Sequence, residues 1–177
     1  MELLVGMGAH YEEFVDNVER LLSQKYPKGI ESLLPEIPSN WAEVQEFFVP
    51  REEFFFELAK RYEKRGTKVI PGALPIDKSK PQTELDLLID AYVTNGTSES
   101  MVKIIGKDNP QVVVVGGRHA DFIKNRLPEV HYVYFDVVGG LFEKMLSRLL
   151  RKAKPDEVIK LVPQMPEEYY FEKYKIN

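Results

Sequence analysis

Cysteine is absent from the 177 residues. That removes disulfides, thiolate nucleophiles and cysteine metal ligands, so any metal would have to be held by histidine and carboxylate. Histidine itself is scarce, with three copies. An excess of positive charge is also missing. Lys and Arg number 24 against 28 Asp and Glu, a net charge of −4, which argues against general binding to nucleic acid. No apolar run approaches the length of a membrane span, and Met1-Glu2-Leu3 lacks the basic start and long apolar stretch of a signal peptide. A Gly-x-x-x-x-Gly-Lys-Ser/Thr phosphate loop is not present. These absences leave, as the default, a cytoplasmic protein acting on a small molecule or peptide, folded as a single domain over residues 1–177.

What is present centres on Gln111 to Ala120, QVVVVGGRHA. Four consecutive valines read as a strand buried on both faces, central in a parallel sheet. The following Gly116-Gly117 turn brings His119 just beyond the carboxyl end of that strand, where open α/β sheets place ligands. The N-terminus repeats the design: ELLVGMGAH is an apolar strand, two glycines and then His10.

In chain order, residues 2–6 form the first strand. Tyr11, Phe14, Val15, Val18, Leu21 and Leu22 recur at helical spacing. Ile30 to Leu34 reads as a second, parallel strand carrying Glu31, and Pro35 to Asn40 as a loop. WAEVQEFF is a short helix behind an Asn40–Glu43 capping box, and Pro50 opens a longer one ending at Gly66. Thr67 to Gly72 gives a third strand, Pro75 to Gln82 a mobile loop, Thr83 to Asn95 a helix, and Ser98 to Ile105 another. After the central strand come a helix over Ala120 to Leu127, a strand over Val130 to Val137, and a helix carrying the stripe from Leu141 to Leu150. Pro155 to Asn177 reads as an aromatic C-terminal arm suited to a helical face or a second subunit, hence a possible route to a homodimer. The pattern predicts an α/β fold: a mostly parallel central sheet flanked by helices on both faces, with a helical middle insertion.

The chemistry-bearing residues follow from this layout. Two imidazoles, His10 and His119, at equivalent sheet ends can act as bases or ligands, and Glu31 can join them if it lies near the end of an adjacent strand. Two imidazoles and a carboxylate can hold a divalent ion such as Zn, Mn or Co and leave a position open for water. Arg118 can hold an anionic group or polarise a carbonyl, and it can equally be a surface ion pair. His131 shares a strand face with Val133 and Phe135 and is expected to pack or hydrogen-bond, with Asp136 a secondary candidate near that strand's end. Gly6 and Gly8 start a dinucleotide fingerprint, but Tyr11 stands where its third glycine belongs. Phe47, Phe48, Phe54, Phe55 and Phe56 are either core or the lining of an apolar pocket.

These residues are similar to motifs of the superfamily that includes TraB/PrgY pheromone-shutdown proteins, TIKI proteases, ChaN-type haem-uptake proteins and erythromycin esterases. Gly116-Gly117-Arg118-His119 matches the second Gly-x-x-His motif, and Glu31 in GIESLL resembles the strand-two glutamate. The first motif departs, since His10 follows Gly8 and Gly6 as Gly-x-His and Gly-x-x-x-His. The resemblance covers the N-terminal segment and the stretch around His119. It implies one cleft facing the histidines and glutamate, and hydrolysis of a peptide, ester or similar bond, metal-assisted or with histidine as base. Under it, His10 and His119 are base or ligand, Glu31 is a ligand or orienting partner, and an arginine used by some members has no clear counterpart beyond Arg118. Some members bind ligands without known catalysis. The alternatives are therefore a small-molecule or cofactor-binding protein with a Phe-lined pocket, or a non-catalytic dimeric regulator.

Overall fold

The computed structural model describes residues 1–44, 53–73, 75, 96–137 and 153–164. Six parallel strands form one sheet: β1 (Leu3–Met7), β2 (Ser32–Pro35), β3 (Lys68–Val69), β4 (Val112–Gly116), β5 (His131–Val137) and β6 (Glu157–Leu161). Their spatial order is β3-β2-β4-β1-β5-β6. The four-valine strand β4 is thus interior, hydrogen-bonded to β2 on one side and to β1 on the other. β1, the strand before His10, is its direct neighbour.

The sheet is covered on both faces, which is why its central strands tolerate unbroken apolar sequence. Alternate side chains divide between two cores. Leu3, Val5, Met7, Val112, Val114, Val133 and Phe135 point to one face, with Phe14, Val18, Leu22, Phe54, Phe55 and Leu58. Two helices supply that cover: α1 (Val15–Lys25) and α3 (Glu53–Lys64). Leu4, Leu34, Val113, Val115, Tyr132 and Tyr134 point to the other face, against Met101, Ile105, Ala120 and Ile123. Those four come from α4 (Gly96–Asp108) and α5 (Gly117–Arg126). A short helix, α2 (Trp41–Val44), follows β2. Each fully buried valine of β4 contributes about 1.5 kcal/mol or more of transfer free energy. Phe54, Phe55 and Phe56 are buried core residues rather than the walls of an open pocket.

Several boundaries differ from the sequence reading. The second strand starts at Ser32, not Ile30, and includes Pro35. Pro35 is tolerated because its missing N–H would face the side of β3, which ends at Val69. The third strand shrinks to two residues. Helix α3 closes where expected, with Gly66 at φ +84. The greatest change is at the tail. Glu157–Leu161 is an edge strand paired to β5 from Val133↔Glu157 to Val137↔Leu161, so this part is sheet and not an arm. Its charged Glu157 and Lys160 and its largely exposed side chains suit an edge, where only one side is covered. The loop from Pro75 to Gln82 apart from Pro75, the helices over Thr83 to Asn95 and Leu141 to Leu150, Phe47 and Phe48, and the aromatics from Tyr169 to Tyr174 lie outside the described residues. Among the described residues, no helix is long and apolar enough to cross a membrane.

Candidate functional site

The register of β1 on β4 fixes the site. Met7 pairs with Gly116 at the carboxyl end of the two strands, and each histidine lies three residues past that pair. Beyond Met7 the chain makes a turn, with the Gly8 N–H donating to Phe135 O at 2.9 Å. Beyond Gly116 it enters α5 directly, so His119 stands in that helix's first turn. The His10 imidazole and the Glu36 carboxylate both approach Gly116. A Cβ on Gly116 would lie 3.0 Å from His10 Nε2 and 3.2 Å from Glu36 Oε2, so a side chain there would press both groups out of place. Gly117 serves a similar purpose, since a Cβ there would sit 2.8 Å from the Tyr134 ring.

The carboxylate at this place is Glu36, which the sequence reading had put in a loop. Glu36 is the first residue after β2. Its N–H donates to Val114 O at 3.2 Å, which holds it beside the end of β4. Its Oε2 accepts the Gly116 N–H at 2.6 Å, and its Oε1 lies 3.2 Å from His119 Nε2. The other ring nitrogen, Nδ1, is 2.7 Å from Ser98 Oγ in the first turns of α4. Both nitrogens of His119 are therefore engaged, one by a carboxylate and one by a hydroxyl. His10 packs its ring edge-on against Phe55, with centroids 4.7 Å apart, so α3 sets its orientation.

Glu31 does not belong to this set. It is exposed and precedes β2, with its N–H donating to Gln111 Oε1 at 2.8 Å and its carbonyl accepting from Lys68 N. Gln111 is the residue before β4, so Glu31 marks the amino ends of the parallel strands. Five residues of extended chain, roughly 16 Å, separate it from Glu36. The direction of a parallel strand decides this: a residue before the apolar run starts the strand, and one after it ends at the ligand side. Glu36, directly after Leu33-Leu34-Pro35, carried that signal. Ser98 carried none, because its contact with His119 depends on how two helices dock on one sheet face.

Arg118 is exposed on α5, and its charge acts on His119 by lowering the imidazole's proton affinity. His131 is at the amino end of β5, hydrogen-bonding with Lys25 Nζ at 3.4 Å and close to Glu157, so it lies across the sheet from the other two histidines. Asp136 is near the carboxyl end of β5 but pairs in register with Lys160 of the edge strand, on the side away from β4.

Electrostatics bind the pair together. Burial alone would push the Glu36 carboxyl up. The His119 charge and hydrogen bond, the His10 charge and the Gly116 N–H outweigh it and hold the group at about 2, against an ordinary 4.5. Burial likewise works to lower His119, and the Glu36 charge and hydrogen bond overcome it, so the imidazole is raised above its ordinary 6.5. In the neutral ring the single proton belongs on Nε2, facing an acceptor-only carboxylate, and the lone pair on Nδ1 faces Ser98. That is the tautomer of a general base. The side chains of His119 and Glu36 keep 21% and 22% of their surface, enough to be reached from solvent. Among the described residues, no three His, Asp or Glu side chains are grouped so as to hold a metal ion. A bound ion would have to displace Glu36 or Ser98 from the His119 nitrogens.

No family model, curated protein or solved structure matches the chain.

Proposed function

We propose that the protein is a hydrolase whose base is His119, oriented and charged by Glu36, with His10 as a second imidazole over the same sheet end. The observation that carries this reading is the contact of His119 Nε2 with Glu36 Oε1 at the mouth of the sheet. A carboxylate held on one nitrogen presents the other as a proton acceptor, which suits attack of a hydroxyl or water on the carbonyl of a small ester or peptide bond. The resemblance to the TraB-like superfamily supports the same class of reaction, with Glu36 in the part it would give to Glu31. The acidic balance of charge supports a small-molecule or peptide substrate rather than nucleic acid.

Metal-assisted hydrolysis is the second reading. It is favoured by one observation, the approach of His10 Nε2 and Glu36 Oε2 to a common point above Gly116. It requires neutral histidines and the opening of the Glu36–His119 contact.

The test is hydrolysis of a panel of short-chain chromogenic esters and peptide anilides by the native chain and His119→Ala, each with and without chelator. Turnover that survives chelation and disappears in His119→Ala supports the base reading. Turnover lost on chelation and restored by zinc, manganese or cobalt supports the metal. No turnover on any member rejects hydrolysis of these bonds.

A further inference from the structure

Ser98 is a buried polar residue, 6% exposed, and its hydroxyl is directed at a ring nitrogen of His119 at 2.7 Å. That length is within the ordinary range for a hydrogen bond from a hydroxyl. The opposite nitrogen of the same ring is tied to Glu36. Hydroxyl, imidazole and carboxylate thus form one chain, contributed by α4, α5 and the residue following β2. Each member is held by a different element of the fold. Ser98 and His119 are kept in register by the packing of Met101 and Ile105 with Ala120 and Ile123 on one sheet face. Glu36 is kept in place by the Gly116 N–H.

We propose that Ser98 is the nucleophile of the site and carries the acyl group as a covalent ester. The proposal rests on the hydrolase reading above and adds the atom that is acylated. Serine oxygen is a weak nucleophile unless a base takes its proton, and a base oriented by a third group is the arrangement that does so. Here the roles of the two ring nitrogens are fixed by the contacts: Nδ1 toward the hydroxyl, Nε2 toward the carboxylate. Ser98 Oγ attacks the carbonyl carbon as its proton passes to His119 Nδ1, giving a tetrahedral adduct. The bond from that carbon to the leaving oxygen or nitrogen then breaks, and the leaving group takes the proton from Nδ1. Water attacks the ester in turn, giving its proton to Nδ1, and the acid departs as Ser98 Oγ recovers the proton. The sum is one water consumed and one acyl bond cleaved. Because so little of Ser98 is exposed, the acyl group must be small, such as acetyl or propionyl.

A small dialkyl fluorophosphonate and p-nitrophenyl acetate, applied to the full native chain, test this. The expected result is a stoichiometric phosphoryl adduct on the peptide containing Ser98, absent after unfolding in urea and absent in His119→Ala. Hydrolysis of p-nitrophenyl acetate should fall on the order of 10³-fold or more in Ser98→Ala. Ser98→Thr, which keeps a hydroxyl, should retain some labelling if the variant folds. A role for Ser98 in merely orienting His119 would produce no covalent adduct. If the native chain hydrolyses the ester but takes no label at Ser98, or if Ser98→Ala turns over like the native chain, the nucleophile is wrong while the His119 base stands. Neither label nor hydrolysis overturns both.

Discussion

Glu36 Oε1 and His119 Nε2 lie 3.2 Å apart, although 82 residues of chain separate them and each belongs to a different strand end. The contact exists because β2 and β4 are adjacent and parallel, so that the residue after one strand faces the helix begun by the other. It favours the charged forms of both Glu36 and His119.

The first consequence is kinetic. With His119 raised above 6.5, the base form accumulates only above that pH, so kcat/KM should rise with pH to an inflection higher than an ordinary imidazole's. Glu36→Gln removes the cause of the increase and leaves burial, which lowers the group, so the inflection should move down. Arg118→Ala removes a charge that lowers His119, so its inflection should move up. Profiles of the three proteins with coincident inflections would contradict the pairing.

Stability should follow the same pair. The folded Glu36 value of about 2 lies below its ordinary 4.5, so its contribution is present above pH 4.5 and is lost as pH falls toward 2. The folded His119 value lies above 6.5, so its contribution is full below 6.5 and fades as pH rises through the raised value. Native and Glu36→Gln proteins should therefore differ most between these limits, by about 2 kcal/mol. Urea midpoints measured from pH 3 to 9 would show the difference shrinking on both sides. A difference that does not change with pH would count against it.

Gly116→Ala should impair turnover more than folding. The backbone there, at φ −57 and ψ 149, is open to any residue, so the cost is steric. The added methyl would press on His10 Nε2 and Glu36 Oε2, displacing the groups that form the site. A loss of roughly 10- to 100-fold in kcat/KM is expected. Thermal melting and ester hydrolysis on one sample distinguish this from a general loss of fold.

Tyr132→Phe gives the converse result. Tyr132 donates from its hydroxyl to Asp121 Oδ1 at 2.9 Å inside the second core, and Asp121 is 7% exposed. Removing the donor should cost about 1–3 kcal/mol in denaturant unfolding. The pH dependence of turnover should stay where it was, because neither residue is among the groups that chiefly shift His119 or Glu36. A shifted inflection would tie this pair to the site after all.

The sheet was legible because four valines between polar Gln111 and two glycines admit few other readings, and β4 does lie inside the sheet. The repeat of strand, glycines and histidine at the N-terminus was legible for the same reason, and Met7↔Gly116 brings the two ends together. Glu31 misled because the second strand's apolar run is short, and its boundary was set two residues early, putting the carboxylate inside the strand. Once the strand runs from Ser32 to Pro35, direction alone gives Glu36 the ligand end. Ser98 was beyond reach, since nothing local in GTSES distinguishes a hydroxyl that starts a helix from one that meets an imidazole. The edge strand Glu157–Leu161 was hidden by its flanking prolines, Pro155 and Pro163, and by its short length.

A titration of the two ring nitrogens of His119 by NMR, in the native chain and in Glu36→Gln, tests the ion pair most directly. In the native chain the neutral ring should carry its proton on Nε2, and Nδ1 should titrate above 6.5. In Glu36→Gln that titration should move downward. A neutral ring protonated on Nδ1, or the same titration in both proteins, would contradict the arrangement of Glu36, His119 and Ser98 on which the proposed chemistry depends.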